Sequence, residues 1–144
     1  MNVALLLRSK GSDVATVRPD TRMSTVVRQL RLKGVGALVV SEDARTVRGL
    51  ISERHIVHAL AAHGPELLDR PVADVMSRSV ITCAPRDNVK RVMAMMTRHR
   101  ERHIPVVEGG RLCGLISIGD VVKSRLDEME LEANVLRERV IARG

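Results

Sequence analysis

The chain contains no phenylalanine, tyrosine or tryptophan. Leu, Val, Ile and seven Met must therefore fill its core, and a nucleic-acid base has no aromatic ring to stack on. Cysteine is scarce as well. Cys83 and Cys113 form no C-x-x-C and fall in separate predicted strands, so free thiols in a reducing cytoplasm are expected. No apolar run approaches the roughly 18 residues a membrane-spanning helix needs. The opening residues, Met1 to Arg8, lack a basic leader and a small-residue cleavage site, so no secretory signal is expected.

What is present suits one compact domain, or two small halves sharing a core: 144 residues, 44% of them apolar. The net charge is +7, with Arg dominating the basic residues. Such an excess draws anions, whether nucleotides, nucleic acid or acidic lipid, without choosing among them.

The stretch Gly114-Leu115-Ile116-Ser117-Ile118-Gly119-Asp120 reads as an apolar strand running into a helix. Ser117 stands at the N-cap and Asp120 three residues on, the spacing at which a hydroxyl and a carboxylate satisfy the orphan amides of a helix start. A second copy, Gly49-Leu50-Ile51-Ser52-Glu53-Arg54-His55, keeps the strand and the cap but carries histidine in place of the acid.

The elements around these copies also repeat. Asn2 caps a short helix that Lys10-Gly11 closes; Val14 to Val17 is a strand ended by Pro19; Thr21 caps a helix with Met23, Val26, Val27 and Leu30 on one face. Gly36 to Val40 and Val47 to Ile51 are paired strands, and a helix runs from Ser52 to about Ala62. Glu66 to Arg70 reads as a linker. Then Pro71 starts a short helix, Val80 to Cys83 is a strand, and Asp87 caps a helix with Val89, Val92, Met93 and Met96 on one face. His103 to Val107 and Leu112 to Ile116 form the second hairpin. Thr16-x-x-Pro19 matches Thr82-x-x-Pro85, sixty-six residues on. This is an internal duplication whose halves are each too small to bury their own apolar face, so they should pack about a pseudo-two-fold axis. Expected units are 1–63 (first repeat with the N-terminal helix), 71–126 (second repeat) and 127–144 (helical extension). In the extension Val122, Leu126, Met129, Ala133, Leu136 and Val140 form a heptad-like seam, widened by Leu131 and Val135. The chain's own core, a helix of a second subunit, or both together cover it.

Two strand–helix–strand–strand–helix copies, each with a G-h-h-S strand end, resemble a tandem pair of cystathionine-β-synthase (CBS) domains, of the kind that forms small stand-alone bacterial proteins. The resemblance spans roughly Val14 to Leu60 and Val80 to Leu126. It implies an α/β fold of two β-α-β-β-α repeats and a non-catalytic regulatory role. Its expected ligand is an adenosine compound such as AMP, ADP, ATP, NAD or S-adenosylmethionine, sensed as a signal of energy or redox state. It also implies a cytoplasmic homodimer, two pairs forming a flat disc, acting on an unidentified regulated protein. By this resemblance the ligand cleft would use Thr82, Ile104, Pro105, Ser117 and Asp120, with the carboxylate accepting from the ribose hydroxyls and Arg102 or His103 meeting phosphate at the helix start. The second cleft would use Thr16, Leu38, Ser52 and His55. Only the second repeat completes G-h-h-[ST]-x-x-D; neutral His55 offers a single acceptor nitrogen, so its cleft is expected to bind nucleotide weakly, bind something different, or stay empty.

Other chemistry has less support. Gly34-x-Gly36 continues into no phosphate-loop motif. His55, His58 and His63 lack Cys or carboxylate companions at ligand spacing, so no metal is expected. No triad or carboxylate pair marks an enzyme. The basic run Arg98-His99-Arg100-Glu101-Arg102-His103 leaves nucleic-acid binding through phosphates as the rival function.

Overall fold

In the computed structural model, which describes residues 1–143, each half of the chain contributes a small sheet flanked by helices. The first half contains α1 (Val3–Lys10), β1 (Thr16–Val17), α2 (Met23–Lys33), β2 (Ala37–Val40), β3 (Gly49–Ser52) and α3 (Glu53–His63). The second contains α4 (Val89–His99), β4 (His103–Glu108), β5 (Arg111–Ser117) and α5 (Ile118–Arg143). β2 pairs parallel with β1 and antiparallel with β3, while β4 and β5 form an antiparallel hairpin.

All four residues of β2 are buried, and their alternation sends them to different cores. Leu38 and Val40 join Met23, Val26, Leu30 and Ile51 under the helices of the first repeat. Ala37 and Val39 join Leu50, with Val80, Leu112 and Leu115 of the second repeat, between the sheets. The third core gathers Val92, Met96, Ile104, Val106 and Ile116.

The short segment leading into each repeat packs into the core of the other. Val3, Leu6 and Leu7 of α1 belong to the second repeat's core; Leu67, Val72 and Met76 belong to the first repeat's. Matching hydrogen bonds tie both exchanges. Val3 and Ala4 amides donate to Asp87 and Pro85 carbonyls (2.9 and 2.8 Å), as Val72 and Ala73 donate to Thr21 and Pro19 (2.7 and 3.0 Å). In return Val89 N–H reaches the Met1 carbonyl (3.1 Å) and Met23 N–H the Arg70 carbonyl (2.8 Å). The G-h-h-S glycines make room for this exchange. A Cβ on Gly114 would lie 2.7 Å from the Leu7 side chain, and one on Gly49 would run into its counterpart, Met76.

Three expectations need correction. Glu66 to Arg70 is no linker: a 3-10 helix spans Gly64–Asp69, and the fully buried Leu67 anchors it. Val80 to Cys83 makes only a single parallel bridge, Cys83 to Val106, rather than a strand. The cause is Pro105. Its counterpart Val39 donates an N–H to the Ala15 carbonyl at 3.2 Å, a bond proline cannot make. The expected caps also shift by one residue. Arg22, not Thr21, precedes α2 and contributes no side-chain bond, while Asn88, not Asp87, caps α4 by accepting from Lys90 N–H at 2.8 Å. The α1 expectation holds, with Asn2 accepting from Leu5 N–H at 2.9 Å.

Candidate functional site

β3 and β5 end in serines whose side chains start the following helices. Ser117 Oγ accepts from Asp120 N–H at 3.1 Å, and Asp120 Oδ2 accepts from Ser117 N–H at 2.8 Å. In the first repeat Ser52 Oγ accepts from His55 N–H at 3.2 Å, and His55 Nδ1 accepts from Ser52 N–H at 3.1 Å. The imidazole thus takes the carboxylate's place in the box. Both turns are held to their hairpins alike: Glu53 N–H donates to the Gly36 carbonyl at 3.0 Å, and Ile118 N–H to the Arg102 carbonyl at 2.8 Å.

At this point the two boxes diverge. Lys10, in the last turn of the exchanged α1, donates its ammonium to Asp120 Oδ2 and to the Leu115 carbonyl. Burial raises the Asp120 carboxyl, but hydrogen bonds from Lys10 and Ser117 outweigh it and hold the group below the usual carboxylate range. Asp120 lines an open cleft of about 320 Å³ between α1 and α5, together with Met1, Leu6, Ser9, Lys10, Lys123, Ser124 and Asp127. That volume sits at the lower end of small-molecule pockets. The turn of the first repeat faces a recess of only about 70 Å³, lined by Gly36, Ser52, Glu53, Arg54, Glu101, Arg102 and His103. This recess holds a few waters at most.

The structure distributes the sequence-predicted residues unevenly. Ser117 and Asp120 meet in the second box, and Ser52 and His55 in the first. Arg102, assigned by sequence to the Asp120 cleft, instead lines the recess beside Ser52. His103 lies between the boxes: burial lowers its pKa, Lys10 lowers it further, and Glu53 and Asp120 oppose them. His55 is likewise held low, by burial first, with Glu101 opposing and Arg54 adding to it. Leu38 and Ile104 are fully buried in the two repeat cores, backbone included. Pro105 is buried, and its carbonyl is taken by Cys83 N–H at 3.0 Å. Thr82 is exposed, on the side of β4 away from β5, while Thr16 is half-buried opposite Val39 in β1. Sequence reasoning missed Lys10 and Lys123. Only the exchange of α1 brings Lys10 to Asp120, and no local pattern announces it.

The CBS domain family model matches residues 10–62 and 72–127. A crystal structure of a CBS-domain-containing protein from Agrobacterium tumefaciens superposes with a TM-score of 0.84 and 41% identity, over 87% of this chain and 99% of that one. A mitochondrial CBS domain-containing protein of Arabidopsis thaliana is 34% identical over 113 residues, 76% of this chain; the chain spans about half (55%) of that relative's length. The CBS domain pair of protein MJ0100, crystallised with 5′-methylthioadenosine and S-adenosyl-L-methionine, shares the fold at a TM-score of 0.75 and 22% identity, over 88% of this chain and 98% of that one.

Proposed function

The chain belongs to the CBS domain family, as a tandem pair, and from that premise we propose that it is a non-catalytic regulatory module that binds one adenosine-containing ligand in the Asp120 cleft. The observation that carries this reading is the Asp120 box at the edge of the 320 Å³ cleft. An ionised carboxylate accepts two hydrogen bonds from a ribose diol without needing a donor of its own. The bonds from Lys10 and from Ser117 N–H both fall on Oδ2 and leave Oδ1 to face the cleft's occupant. Lys10 and Lys123, beside the N-terminus of α5, supply positive charge for phosphate where the helix dipole already favours an anion. Met1 and Leu6 offer the adenine an aliphatic wall in a chain without aromatic rings. The complex of MJ0100 with two adenosyl compounds supports that ligand class.

As a sensor the pair must bind its ligand with different affinity in two states, and the shift would be passed to a protein partner. We place it in the cytoplasm as a homodimer that reports energy or redox state. A thermal-shift series with AMP, ADP, ATP, NAD and S-adenosylmethionine, run on the parent and on Asp120→Ala, tests the reading. At least one ligand should raise the parent's Tm and leave the variant's unmoved. If nucleotides shift nothing while DNA or RNA does, the chain is a nucleic-acid-binding regulator instead.

A further inference from the structure

We propose that the outer face of α5 is a parallel, in-register coiled-coil interface for a second copy of this chain. Val122, Leu126, Met129, Ala133, Leu136 and Val140 alternate steps of four and three residues, so at 3.5 residues per turn they lie within about 50° of one another. Five of them are large and stand 46 to 70% exposed. From Val122 to Val140 the stripe is about 27 Å long at 1.5 Å per residue. It is a stripe of contact length rather than a scatter of surface side chains.

Where the body sits relative to this stripe decides whether two copies fit. Val121 and Ser124 are buried against the body, and Glu128 meets the Met1 amino group at 3.5 Å. Those residues lie roughly half a turn round the helix from the seam. Leu131 and Val135, expected from sequence to widen the seam, continue this inner face instead. Two α5 helices pairing along the outer stripe therefore carry their bodies on opposite sides, without collision.

The flanking charges choose the occupant and its direction. With Leu126, Ala133 and Val140 at a and Val122, Met129 and Leu136 at d, the g positions are Arg125, Glu132 and Arg139, and the e positions are Lys123, Glu130 and Arg137. In a parallel pair each g faces the partner's e five residues on, which sets Arg125 against Glu130 of the second copy and Glu132 against its Arg137. Every such pair is of opposite sign. Arg125 also reaches Glu128 of its own helix at 3.1 Å, so it joins a small network. A full-overlap antiparallel pair sets Glu132 on Glu132, Glu130 on Glu130, Arg125 on Arg139 and Lys123 on Arg137. All four are like-charged. Slipping that arrangement by one heptad restores opposite charges but gives up the Val122 and Leu126 layers. The sequence of α5 thus favours its own copy, in parallel.

The test uses the full chain without ligand, and its outcome is independent of the nucleotide reading. Light scattering at micromolar concentration should give a dimer, and Met129→Glu with Leu136→Glu should give a monomer with the parent's circular dichroism, since both positions are exposed, and with a Tm lowered only by the stabilisation the dimer had supplied. Glu132→Arg should weaken the dimer about tenfold in low salt, and adding Arg137→Glu to it should restore the parent affinity. Val140→Cys should cross-link to itself on mild oxidation. A monomer at about 100 µM overturns the proposal, as does a dimer that survives the double glutamate variant or ignores Glu132→Arg. Preferential cross-linking of Val122→Cys with Val140→Cys in a mixture would make the pair antiparallel and overturn it equally.

Discussion

Lys10 and Asp120, 110 residues apart, form an ion pair between the end of α1 and the start of α5. The lysine occupies the same carboxylate oxygen that closes the helix cap. A ribose that takes this oxygen must displace the ammonium, which is then free to meet a phosphate. Lys10→Met should therefore raise affinity for adenosine, which has no phosphate, and lower it for AMP. Calorimetry should find the AMP-to-adenosine affinity ratio reduced about tenfold, the scale of one charge-assisted contact. An unchanged ratio removes Lys10 from the ligand's surroundings.

Gly114 is required by its neighbour rather than by its backbone angles. Leu7 fills the space a Cβ would need, and Leu7 sits one turn before Lys10. Gly114→Val should destabilise the fold by about 1–3 kcal/mol in denaturant titration, the cost of overpacking a filled core. It should also displace α1 and loosen the Lys10–Asp120 pair. Gly49→Val, against Met76, should behave alike in stability yet leave the Asp120 cleft intact.

Much of this arrangement was legible in the sequence. The repeat, the two serine caps and the hairpins follow from local spacing, and local spacing is what a sequence displays. The exchange of lead segments was hidden because Val3-x-x-Leu6-Leu7 has the same apolar pattern whichever core it enters. Lys10 was hidden with it. Val80 to Cys83 misled for a different reason: its own residues favour a strand, but the missing donor belongs to Pro105, on another element. Glu66 to Arg70 looked like a linker because one buried leucine carries no periodicity.

That leucine can be tested directly. Leu67 is fully buried among Met23, Val26 and Ile56, while its neighbour Leu68 is 39% exposed. Leu67→Ala should cost about 2–5 kcal/mol and Leu68→Ala close to nothing, measured by urea unfolding. Equal small effects would return the segment to the status of a tether.

Two histidines make stability depend on pH near neutrality. Burial holds both His55 and His103 below the ordinary histidine pKa, so the unfolded chain takes up protons first as pH falls past about 6.5. Their contribution is complete above that value and is lost as pH falls toward the depressed folded pKa values. Asp120, held low, keeps its own contribution until pH falls below the usual carboxylate range. Tm should accordingly drop between pH 8 and pH 5.5. His55→Gln, whose amide oxygen can accept from Ser52 N–H, should flatten part of that drop. A Tm that rises on acidification contradicts the neutral imidazole in the box.

The difference between the two boxes makes a claim about stoichiometry. His55 and Asp120 cap their helices in the same way, so capping does not distinguish them; what differs is acceptor capacity and company. Neutral His55 spends Nδ1 on Ser52 N–H, leaving no second lone pair for a ribose diol. Its turn also faces a recess of about 70 Å³, beside a wider cleft that shares Arg54, Glu101 and Arg102 with it. The parent should therefore bind one AMP per chain by calorimetry. In the exchanged lead segments the position equivalent to Lys10 is Ser79, so His55→Asp creates a carboxylate with no lysine to displace. That variant should keep the parent's Tm at pH 8, because a carboxylate caps as well as an imidazole. It should also add a second, weaker site that prefers adenosine to AMP more than the first does. Two equal AMP sites in the parent would show that the acid at Asp120 does not set which cleft is filled.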